Sequence, residues 1–386
     1  MMQISADWIR QPDSQKLCQM LSNAGYECYF VGGCVRNALL GVPVNDIDIA
    51  TNAHPEQVIA LARAAGLKPI PTGIDHGTVT VISGGHAFEV TTYRQDVKTD
   101  GRHAVVSYSD SIAQDALRRD FTMNALYADR FGAVVDPLNG LPDLLARRVR
   151  FIENPQKRIQ EDYLRIMRFF RFHAWYGAPD QGLDAEGLAA CAANLTGLET
   201  VSNERIGAEL CKLLAATDPG PSVAAMAASG VLNTILPGAE AKALPVLIHL
   251  EASFPGPSLP PNAIRRLAVL GGENAKSRLR LSNAQAKQLA VLRNEAGSLH
   301  SPARLGFEFG AETAIDIVLL RAALLETTPD PGAWQQIEIG VAAEFPVKPA
   351  DLMPRFQGKA LGDKLAELQE KWLQSGFALS KDQLLR

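Results

Sequence analysis

The stretch Phe30-Val31-Gly32-Gly33-Cys34-Val35-Arg36, followed ten residues later by Asp46-Ile47-Asp48, decides the fold of this 386-residue chain. The residues before the two glycines predict a short strand, and the residues after them predict a helix. Glycines between a strand and a helix let the backbone approach a phosphate closely, with its amides directed at the anion. Arg36 adds a fixed positive charge just inside that helix. We therefore predict a phosphate-binding turn at Gly32 and Gly33.

Acidic residues follow this turn on predicted strands. Asp46 and Asp48 lie two residues apart on a strand, so both carboxylates leave the same face. The two carboxylates, about 7 Å apart along the backbone, can share hard divalent cations such as Mg²⁺. Glu89 lies on a later strand with apolar neighbours that point the other way, and it can serve as a third acid, either as a metal ligand or by helping to deprotonate an attacking hydroxyl. The alternative is a surface strand with exposed acids.

A second polar segment, Asp115–Leu126, contains adjacent arginines beside aspartates. Guanidinium groups stay charged and fork onto phosphate oxygens, so Arg118 and Arg119 favour triphosphate binding. The alternative for one of these arginines is an internal ion pair with Asp115 or Asp120.

A third segment, from Asn154 to Trp175, is predicted to form one continuous helix with Asn154 as its N-cap and Pro155 in its first turn. Its buried stripe is predicted to contain Ile159, Tyr163, Ile166, Met167 and Phe170. Four polar residues follow at steps of three across the outer face of this helix, namely Asp162, Arg165, Arg168 and Arg171.

Asp162 and Arg165 together offer a hydrogen-bond acceptor beside a donor, because Asp only accepts and Arg only donates. Cytosine and adenine present an amino donor beside a ring-nitrogen acceptor, whereas uracil and guanine present the reverse. We therefore predict that this pair selects C and A without a nucleic-acid template. The alternative is a solvated helix with ion pairs such as Glu161–Arg165.

Composition limits the class of protein. The length predicts two or three domains, and 47% hydrophobic against 21% charged residues excludes global disorder. The N-terminus predicts no signal peptide, and no apolar run is long enough to span a membrane. Five cysteines are scattered singly, which favours a reducing cytoplasm. The net charge is −4, yet residues 147–171 hold eight basic and three acidic residues, so nucleic-acid binding would need a local patch.

Taken together, five ordered motifs over roughly residues 28–210 resemble those of class II tRNA nucleotidyltransferases, the family that includes CCA-adding enzymes and bacterial poly(A) polymerases. The motifs are Gly32-Gly33-x-Val35-Arg36 with Asp46-x-Asp48, Arg118-Arg119-Asp120-x-Thr122-x-Asn124-Ala125, Asp136-Pro137-x-Asn139-Gly140-x-x-Asp143, Glu161-Asp162-x-x-Arg165, and Glu204-Arg205-x-x-x-Glu209.

The resemblance implies an α+β fold. A polymerase-β-like nucleotidyltransferase head, with a small mixed sheet and helices, is expected over residues 1–147. An all-helical neck that carries the nucleotide-selecting helix is expected over residues 148–215, and a helical, tRNA-binding body and tail over residues 216–386.

The resemblance also implies the site. Asp46 and Asp48 are the expected ligands of two Mg²⁺ ions, and Glu89 is the expected third catalytic acid. The expected nucleotide-binding residues are Gly32, Gly33, Arg36, Arg119, Asn124, Asp162, Arg165, Arg168 and Arg171.

The implied reaction is attack of the 3′ hydroxyl of tRNA on the α-phosphate of CTP or ATP, with pyrophosphate as the leaving group. Residues 94–111 resemble the flexible loop that helps the family switch from CTP to ATP. The expected partners are tRNA, CTP and ATP, without a membrane or DNA. Two alternatives stay open: a poly(A) polymerase or A-adding enzyme on the same scaffold, and a catalytically silent RNA-binding protein. Intact Asp46, Asp48 and Arg119 argue against the latter.

Overall fold

The computed structural model describes residues 2–100 and 103–386, with side chains for all of these except 96–100 and 103–106. The chain forms two compact units, Met1–Pro237 and Gly238–Arg386. In the part of the chain so described, no helix is long and apolar enough to cross a membrane.

Within the described residues, the first unit begins with an α/β region of nine strands and six α-helices. In chain order these are α1 (Asp7–Arg10), α2 (Pro12–Asn23), β1 (Tyr29–Val31), α3 (Gly33–Leu40), β2 (Ile47–Thr51), α4 (Pro55–Ala64), β3 (Lys68–Ile70), β4 (Thr78–Ser83), β5 (His86–Thr92), β6 (Arg94–Asp100), β7 (His103–Tyr108), α5 (Ile112–Leu117), β8 (Tyr127–Ala128), β9 (Val134–Val135) and α6 (Leu141–Leu145).

Seven of these strands form one mixed sheet in the order β3-β4-β5-β2-β1-β8-β9. Strand β2 runs parallel to β5, and the other neighbouring strands are antiparallel. Helix α3 packs on β1 and β2, and α4 packs on β3, β4 and β5. The predicted strand–turn–helix–strand order is therefore confirmed. Residues 78–82 and 87–91 also predict two strands joined at Ser83-Gly84-Gly85-His86 as a hairpin, and the antiparallel pairing of β4 and β5 confirms it. The sheet places the end of β1 beside the start of β2.

The pattern of the first 25 residues predicts one amphipathic helix that ends at Gly25, and this prediction is wrong, because the structure divides the segment into α1 and α2. Pro12 occupies the first turn of α2, and Gln11 before it is extended, with φ −57° and ψ 139°. A residue that precedes proline is disfavoured in the helical region, so the chain breaks there.

The stretch that resembles the flexible loop contains a separate two-stranded hairpin of β6 and β7. Its register runs from the Arg94–Tyr108 pair to the Asp100–His103 pair, with an irregularity between Asp96 and Lys98. Gly101 and Arg102, which belong to the same stretch, lie outside the described residues.

The rest of the first unit is helical. Its helices are α7 (Pro155–Glu161), α8 (Leu164–Tyr176), α9 (Ala185–Ala193), α10 (Asn203–Leu214), α11 (Gly220–Ala228) and α12 (Val231–Ile235). The predicted cap is present, since the side chain of Asn154 accepts a hydrogen bond from the amide of Lys157.

The continuous helix predicted from Asn154 to Trp175 is wrong, because it breaks at Asp162 and Tyr163 into α7 and α8. Asp162 is extended, with φ −152° and ψ 105°, and its carboxylate accepts a hydrogen bond from the amide of Leu164 at 3.1 Å. Such a side-chain bond competes with the helical pattern. The ring of Tyr163 occupies the space beside Gly197, where an added Cβ would lie 2.0 Å from Tyr163 Cδ1. The rest of the predicted stripe is buried, as Ile159, Ile166, Met167 and Phe170.

The second unit is helical throughout its regular structure. Its helices are α13 (Leu244–Ser253), α14 (Ala263–Leu270), α15 (Ala275–Arg278), α16 (Asn283–Ala296), α17 (Pro302–Leu324), α18 (Ala333–Ala342), α19 (Pro349–Leu352), α20 (Gly358–Gln374) and α21 (Lys381–Leu385).

A buried ion network joins three helices of the second unit. Glu251 of α13 accepts from Arg265 Nε and from Arg266 Nη2 of α14, each at 2.7 Å. Arg265 also donates to Asp316 of α17 at 2.7 Å. All four residues are buried. Charges in such a place are tolerated only while they remain paired.

We predict that Glu251→Gln lowers the stability of the second unit by about 3 kcal/mol, because it removes the buried negative charge that both Arg265 and Arg266 contact. Native-state hydrogen exchange at the amides of α13, α14 and α17 measures this change. Glu326→Gln is the matched control, since it removes a carboxylate whose partner, Lys242, is 79% exposed. Equal hydrogen-exchange protection in the two variants would show that the buried network contributes no more to stability than a surface ion pair does.

Candidate active site

The turn at Gly32 is shaped for a residue without a side chain. Strand β1 ends at Val31, and Gly32 has φ +69°, which disfavours other residues. A Cβ on Gly32 would lie 3.2 Å from Arg119 Nη1. The turn therefore brings the start of α3 against a guanidinium, as the predicted phosphate site requires.

The three predicted acids lie at the neighbouring strands. The parallel register of β2 and β5 places Asp48 opposite Glu89, and Asp46 lies one residue before β2 begins. Burial, the Glu89 carboxylate and the Asp46 carboxylate raise the pKa of Asp48 to about 6, although Arg119 and Arg36 act in the opposite direction. Asp48 is half-buried, whereas Asp46 and Glu89 are exposed. The structure thus brings these acids into one electrostatic group.

This acidic group suits a Mg²⁺ ion that is coordinated by the protein and the substrate together. Among the described residues, no three or more His, Cys, Asp or Glu side chains form a group that could hold a metal ion. Mg²⁺ commonly takes only one or two carboxylates, with waters and substrate phosphates completing its shell. The repulsion that raises the pKa of Asp48 is relieved by a divalent cation.

Arg118 and Arg119 share one buried carboxylate, that of Asp115. Arg118 donates to Asp115 Oδ1 at 2.7 Å and Arg119 to Oδ2 at 3.0 Å, while the hydroxyl of Tyr127 donates to Oδ2 at 2.7 Å. Burial acts to raise the pKa of Asp115, but these partners outweigh it and lower the pKa to about 2. The internal ion pair considered for one arginine is therefore present for both. Arg119 nevertheless lies against the Gly32 turn.

Asp120 holds another arginine, the half-buried Arg168. Its carboxylate accepts from Arg168 Nε at 2.8 Å, from Asn124 Nδ2 at 2.8 Å and from the amide of Phe121 at 2.8 Å. Burial acts to raise its pKa, but Arg168 and the hydrogen bonds hold the pKa well below its usual range. Arg168 of α8 is thereby fixed to the turn that follows α5.

Arg36 and Asn124 extend this network to the other end of α8. Asn124 Oδ1 accepts from Arg36 Nη1 at 2.6 Å, and the hydroxyl of Tyr176 accepts from Arg36 Nη2 at 2.8 Å. Arg36 is buried. Arg36 and Asn124, two of the predicted nucleotide-binding residues, thus lie beside the Gly32 turn. The Nη1 and Nη2 groups of Arg36 donate to side chains of the protein.

The predicted selecting residues are held by neighbouring side chains. Asp162 Oδ2 accepts from Arg205 Nη2 at 2.7 Å. Arg165 pairs with Glu161 and donates to the backbone oxygen of Arg158 at 2.7 Å, so the ion pair weighed as the alternative is present.

Arg171, the last residue of the predicted row, is also paired. Its Nε donates to Glu209 Oε2 at 2.5 Å. Arg205 and Glu209 both lie on α10, which therefore supports Asp162 at the helix break and Arg171 within α8.

Sequence reasoning missed two aromatic residues, Phe172 and Tyr176. The guanidinium carbon of Arg36 lies 4.0 Å from the ring centroid of Tyr176 and 5.1 Å from that of Phe172. The available signal was spacing, because Arg168, Phe172 and Tyr176 follow at steps of four and so share one face of α8.

Comparisons with known proteins agree with this geometry. Residues 28–150 match the family model described as "Poly A polymerase head domain", and residues 183–242 match "Probable RNA and SrmB- binding site of polymerase A". The mitochondrial CCA tRNA nucleotidyltransferase 1 of Mus musculus is 32% identical over 390 residues, covering 96% of this chain and 88% of the relative. The chain belongs to the CCA tRNA nucleotidyltransferase family.

Further members of the family agree with this assignment. The CCA-adding enzyme of Geobacillus stearothermophilus is 34% identical over 351 residues, covering 86% of this chain and 82% of the relative. The crystal structure of the Bacillus stearothermophilus CCA-adding enzyme in complex with CTP matches with a TM-score of 0.74 at 27% identity, covering 95% of this chain and 94% of that chain. The Thermotoga maritima CCA-adding enzyme complexed with tRNA shares the fold, with a TM-score of 0.68 at 19% identity over 95% of this chain and 92% of that chain. The polymerase-β-like head and helical remainder expected from the sequence are confirmed.

We predict that the stabilising effect of Asp115 is lost on acidification. Because its folded pKa is depressed to about 2, its contribution is complete well above the ordinary carboxyl pKa and is lost as the pH falls towards 2. Asp115→Asn should therefore be less stable than wild type at pH 7. The difference should narrow by about 1 kcal/mol at pH 3, as measured by urea unfolding at both pH values. A difference that stays constant would contradict the ion pairs with Arg118 and Arg119.

Proposed function

We propose that this chain adds C, C and A to the 3′ end of tRNA from CTP and ATP, with release of pyrophosphate and without a nucleic-acid template. The observation that carries the proposal is the placement of Asp48 beside Glu89, at the end of the sheet where Gly32 meets Arg119. Carboxylates that suit a divalent cation thus lie near a guanidinium that suits phosphate. Relatives of the chain are named CCA tRNA nucleotidyltransferase and CCA-adding enzyme.

In the proposed reaction, a bond forms between the 3′ oxygen of the RNA and the α-phosphorus. The bond from that phosphorus to the β-phosphate bridging oxygen breaks. Gly32, Gly33 and Arg119 bind the triphosphate, and Glu89 helps to accept the proton of the attacking hydroxyl. Asp46 and Asp48 would hold Mg²⁺, which would neutralise charge on the phosphates and on the attacking and leaving oxygens. Positioning and charge neutralisation are the main demands of phosphoryl transfer.

Asp162 and Arg165 are proposed to read the base edge. A carboxylate has about four acceptor positions, so Asp162 can receive an amino group of C or A while Arg205 holds it. The guanidinium of Arg165 carries five N–H donors. To donate to a base, it would keep its bond to the backbone oxygen of Arg158. It would either divide its other donors between the base and Glu161 or give up its ion pair with Glu161. Arg168 and Arg171 are proposed to line the same pocket, where Asp120 and Glu209 fix them.

The assay that tests the function uses tRNA transcripts that end before CCA, after C, or after CC. Each is incubated with Mg²⁺ and with CTP, ATP or both, and the product lengths are measured on a gel. We expect three additions, C, C and A, with UTP and GTP refused and no further growth. Addition of a single A to the CC-ended transcript alone would indicate an A-adding enzyme, a long A tail a poly(A) polymerase, and no extension an RNA-binding protein.

We predict that Asp48→Asn lowers the rate of nucleotide addition by about 10²-fold or more, because several kcal/mol of charge stabilisation depend on the metal site. Single-turnover extension of the CC-ended transcript with ATP measures this loss. Glu56→Gln is the control, since it removes an exposed carboxylate from the first turn of α4. An active Asp48→Asn variant would exclude the proposed metal site.

We predict that Asp162→Ala or Arg165→Ala reduces the preference for CTP and ATP over UTP and GTP by about tenfold, since a good bidentate base contact is worth about 1–3 kcal/mol. The ratio of kcat/KM values for CTP and UTP measures the preference. Lys157→Ala, which removes an exposed cation from α7, should weaken RNA binding and leave the ratio unchanged. Unchanged selection in both pocket variants would contradict the proposed base contact.

We propose residues 216–386 as the main tRNA-holding part, with residues 147–171 as an additional basic patch. The first compact unit ends at Pro237, which is beyond the boundary proposed at residue 215. Recognition would rest on shape and backbone, so the affinity for tRNA should fall as salt is added.

We also propose that the protein works in a reducing compartment such as the cytoplasm. All five cysteines are free thiols, and four of them are buried. Fractionation of expressing cells tests this proposal: recovery with cytosolic markers would support it, and recovery with markers of an organelle would contradict it.

A further inference from the structure

We propose that Tyr176 is a positioning residue for nucleotide selection, because its hydroxyl, bound to Arg36, fixes the C-terminal end of α8 against the start of α3. The inference rests on the proposed function, and it assigns a role to a residue outside the motifs. Tyr176 does not touch the nucleotide in this account. It acts through the placement of the arginines that α8 carries.

The contact between Tyr176 and Arg36 is close and buried. Arg36 Nη2 donates to the Tyr176 hydroxyl at 2.8 Å, and the guanidinium carbon lies 4.0 Å from the ring centroid. Tyr176 is 9% exposed and Arg36 is 7% exposed. Arg36 belongs to the first turn of α3, directly after the Gly32 turn. The last residue of α8 is therefore bound to the helix that begins at the catalytic turn.

Arg36 needs this contact because other cations are near. The ring centroid of Phe172 lies 5.1 Å from the guanidinium carbon of Arg36, 5.2 Å from that of Arg168 and 4.5 Å from that of Arg171. Arg168 and Arg171 each have a carboxylate partner, whereas Arg36 is held by the neutral groups of Asn124, Asn37 and Tyr176. Burial and the charge of Arg171 lower the pKa of Arg36, and Tyr176 and the Asp120 carboxylate oppose this effect.

Two hydrogen-bonded attachments join α8 to the α/β region. Arg168 is attached to Asp120, and Tyr176 is attached to Arg36 eight residues further along, which corresponds to about 12 Å of helix. The C-terminal half of α8 is also bound to α10 and α11, through Arg171 with Glu209 and His173 with Ser222, but the Tyr176 hydroxyl ties its last residue to α3. Without that hydrogen bond the end of α8 can shift relative to α3 while the helix stays folded, and displacements of about 1 Å are enough to misplace hydrogen-bonding groups. Recognition of the base edge is therefore more sensitive to this loss than folding is.

The test is Tyr176→Phe, which removes the hydroxyl and keeps the ring over Arg36. Tyr93→Phe is the matched control, since Tyr93 is a buried tyrosine whose hydroxyl donates to Glu27 at 3.0 Å. For each variant, kcat and KM are measured for all four nucleoside triphosphates with transcripts lacking CCA. Thermal unfolding of each variant is measured in parallel.

We expect the ratio of kcat/KM for CTP over UTP to fall about fivefold or more in Tyr176→Phe, in line with loss of a hydrogen bond to a charged group. The ratio should be unchanged in Tyr93→Phe, even where the two variants lose similar thermal stability. Tyr176→Leu, which removes the ring as well, should lower the ratio further.

Equal ratios in Tyr176→Phe and wild type, with a wild type that adds C, C and A, would overturn the positioning role and leave the proposed function intact. An equal fall in the ratio for Tyr93→Phe would also overturn it, because the effect would then follow from stability alone. A wild type that adds no nucleotide would overturn the proposed function itself.

Discussion

The buried carboxylate of Asp120 is the interaction on which the arrangement of the site depends. A charge removed from water is tolerated only where partners replace its hydration. Asp120 has three such partners: Arg168, Asn124 and the amide of Phe121. Because they hold its pKa well below the usual range, the carboxylate stays ionised and the partners must stay in place. The charge thereby joins the turn after α5 to helix α8, which we propose faces the nucleotide.

The same constraint explains how side chains can replace a template in the proposed function. A base edge is distinguished by the directions of donors and acceptors, so the reading groups must be fixed before the nucleotide arrives. Arg205 holds Asp162 and Glu209 holds Arg171, both from α10, and the Asp120 network holds the helix between them. The acids at Asp48 and Glu89 lie on adjacent central strands. In the proposed function, nucleotide selection and nucleotidyl transfer thus use residues on different helices and strands. The buried network holds these elements in fixed positions relative to one another.

The parts of this fold that could be predicted from sequence are those set by local signals. The turn at Gly32, the strand that carries Asp48 and the hairpin of β4 and β5 each depend on neighbouring residues, and the sequence predicts all three correctly. The helix break at Asp162 was missed because helical spacing continues through it, while the side-chain bond to Leu164 and the packing of Tyr163 on Gly197 act against the helix. Tyr176 was missed because its partner, Arg36, lies 140 residues away in sequence. Motif spacing alone does not decide whether Glu89 lies beside Asp48. The parallel register of β2 and β5 shows that it does.

The central claim is that protein side chains, fixed by this network, select the nucleotide. The direct test is to measure the dissociation constants of CTP, ATP, UTP and GTP for the protein alone, with Mg²⁺ and without RNA, by isothermal titration calorimetry. The account predicts that CTP and ATP bind about tenfold or more tightly than UTP and GTP, as expected for a bidentate base contact. Equal affinities for the four nucleotides would contradict it, because selection would then have to come from the bound RNA.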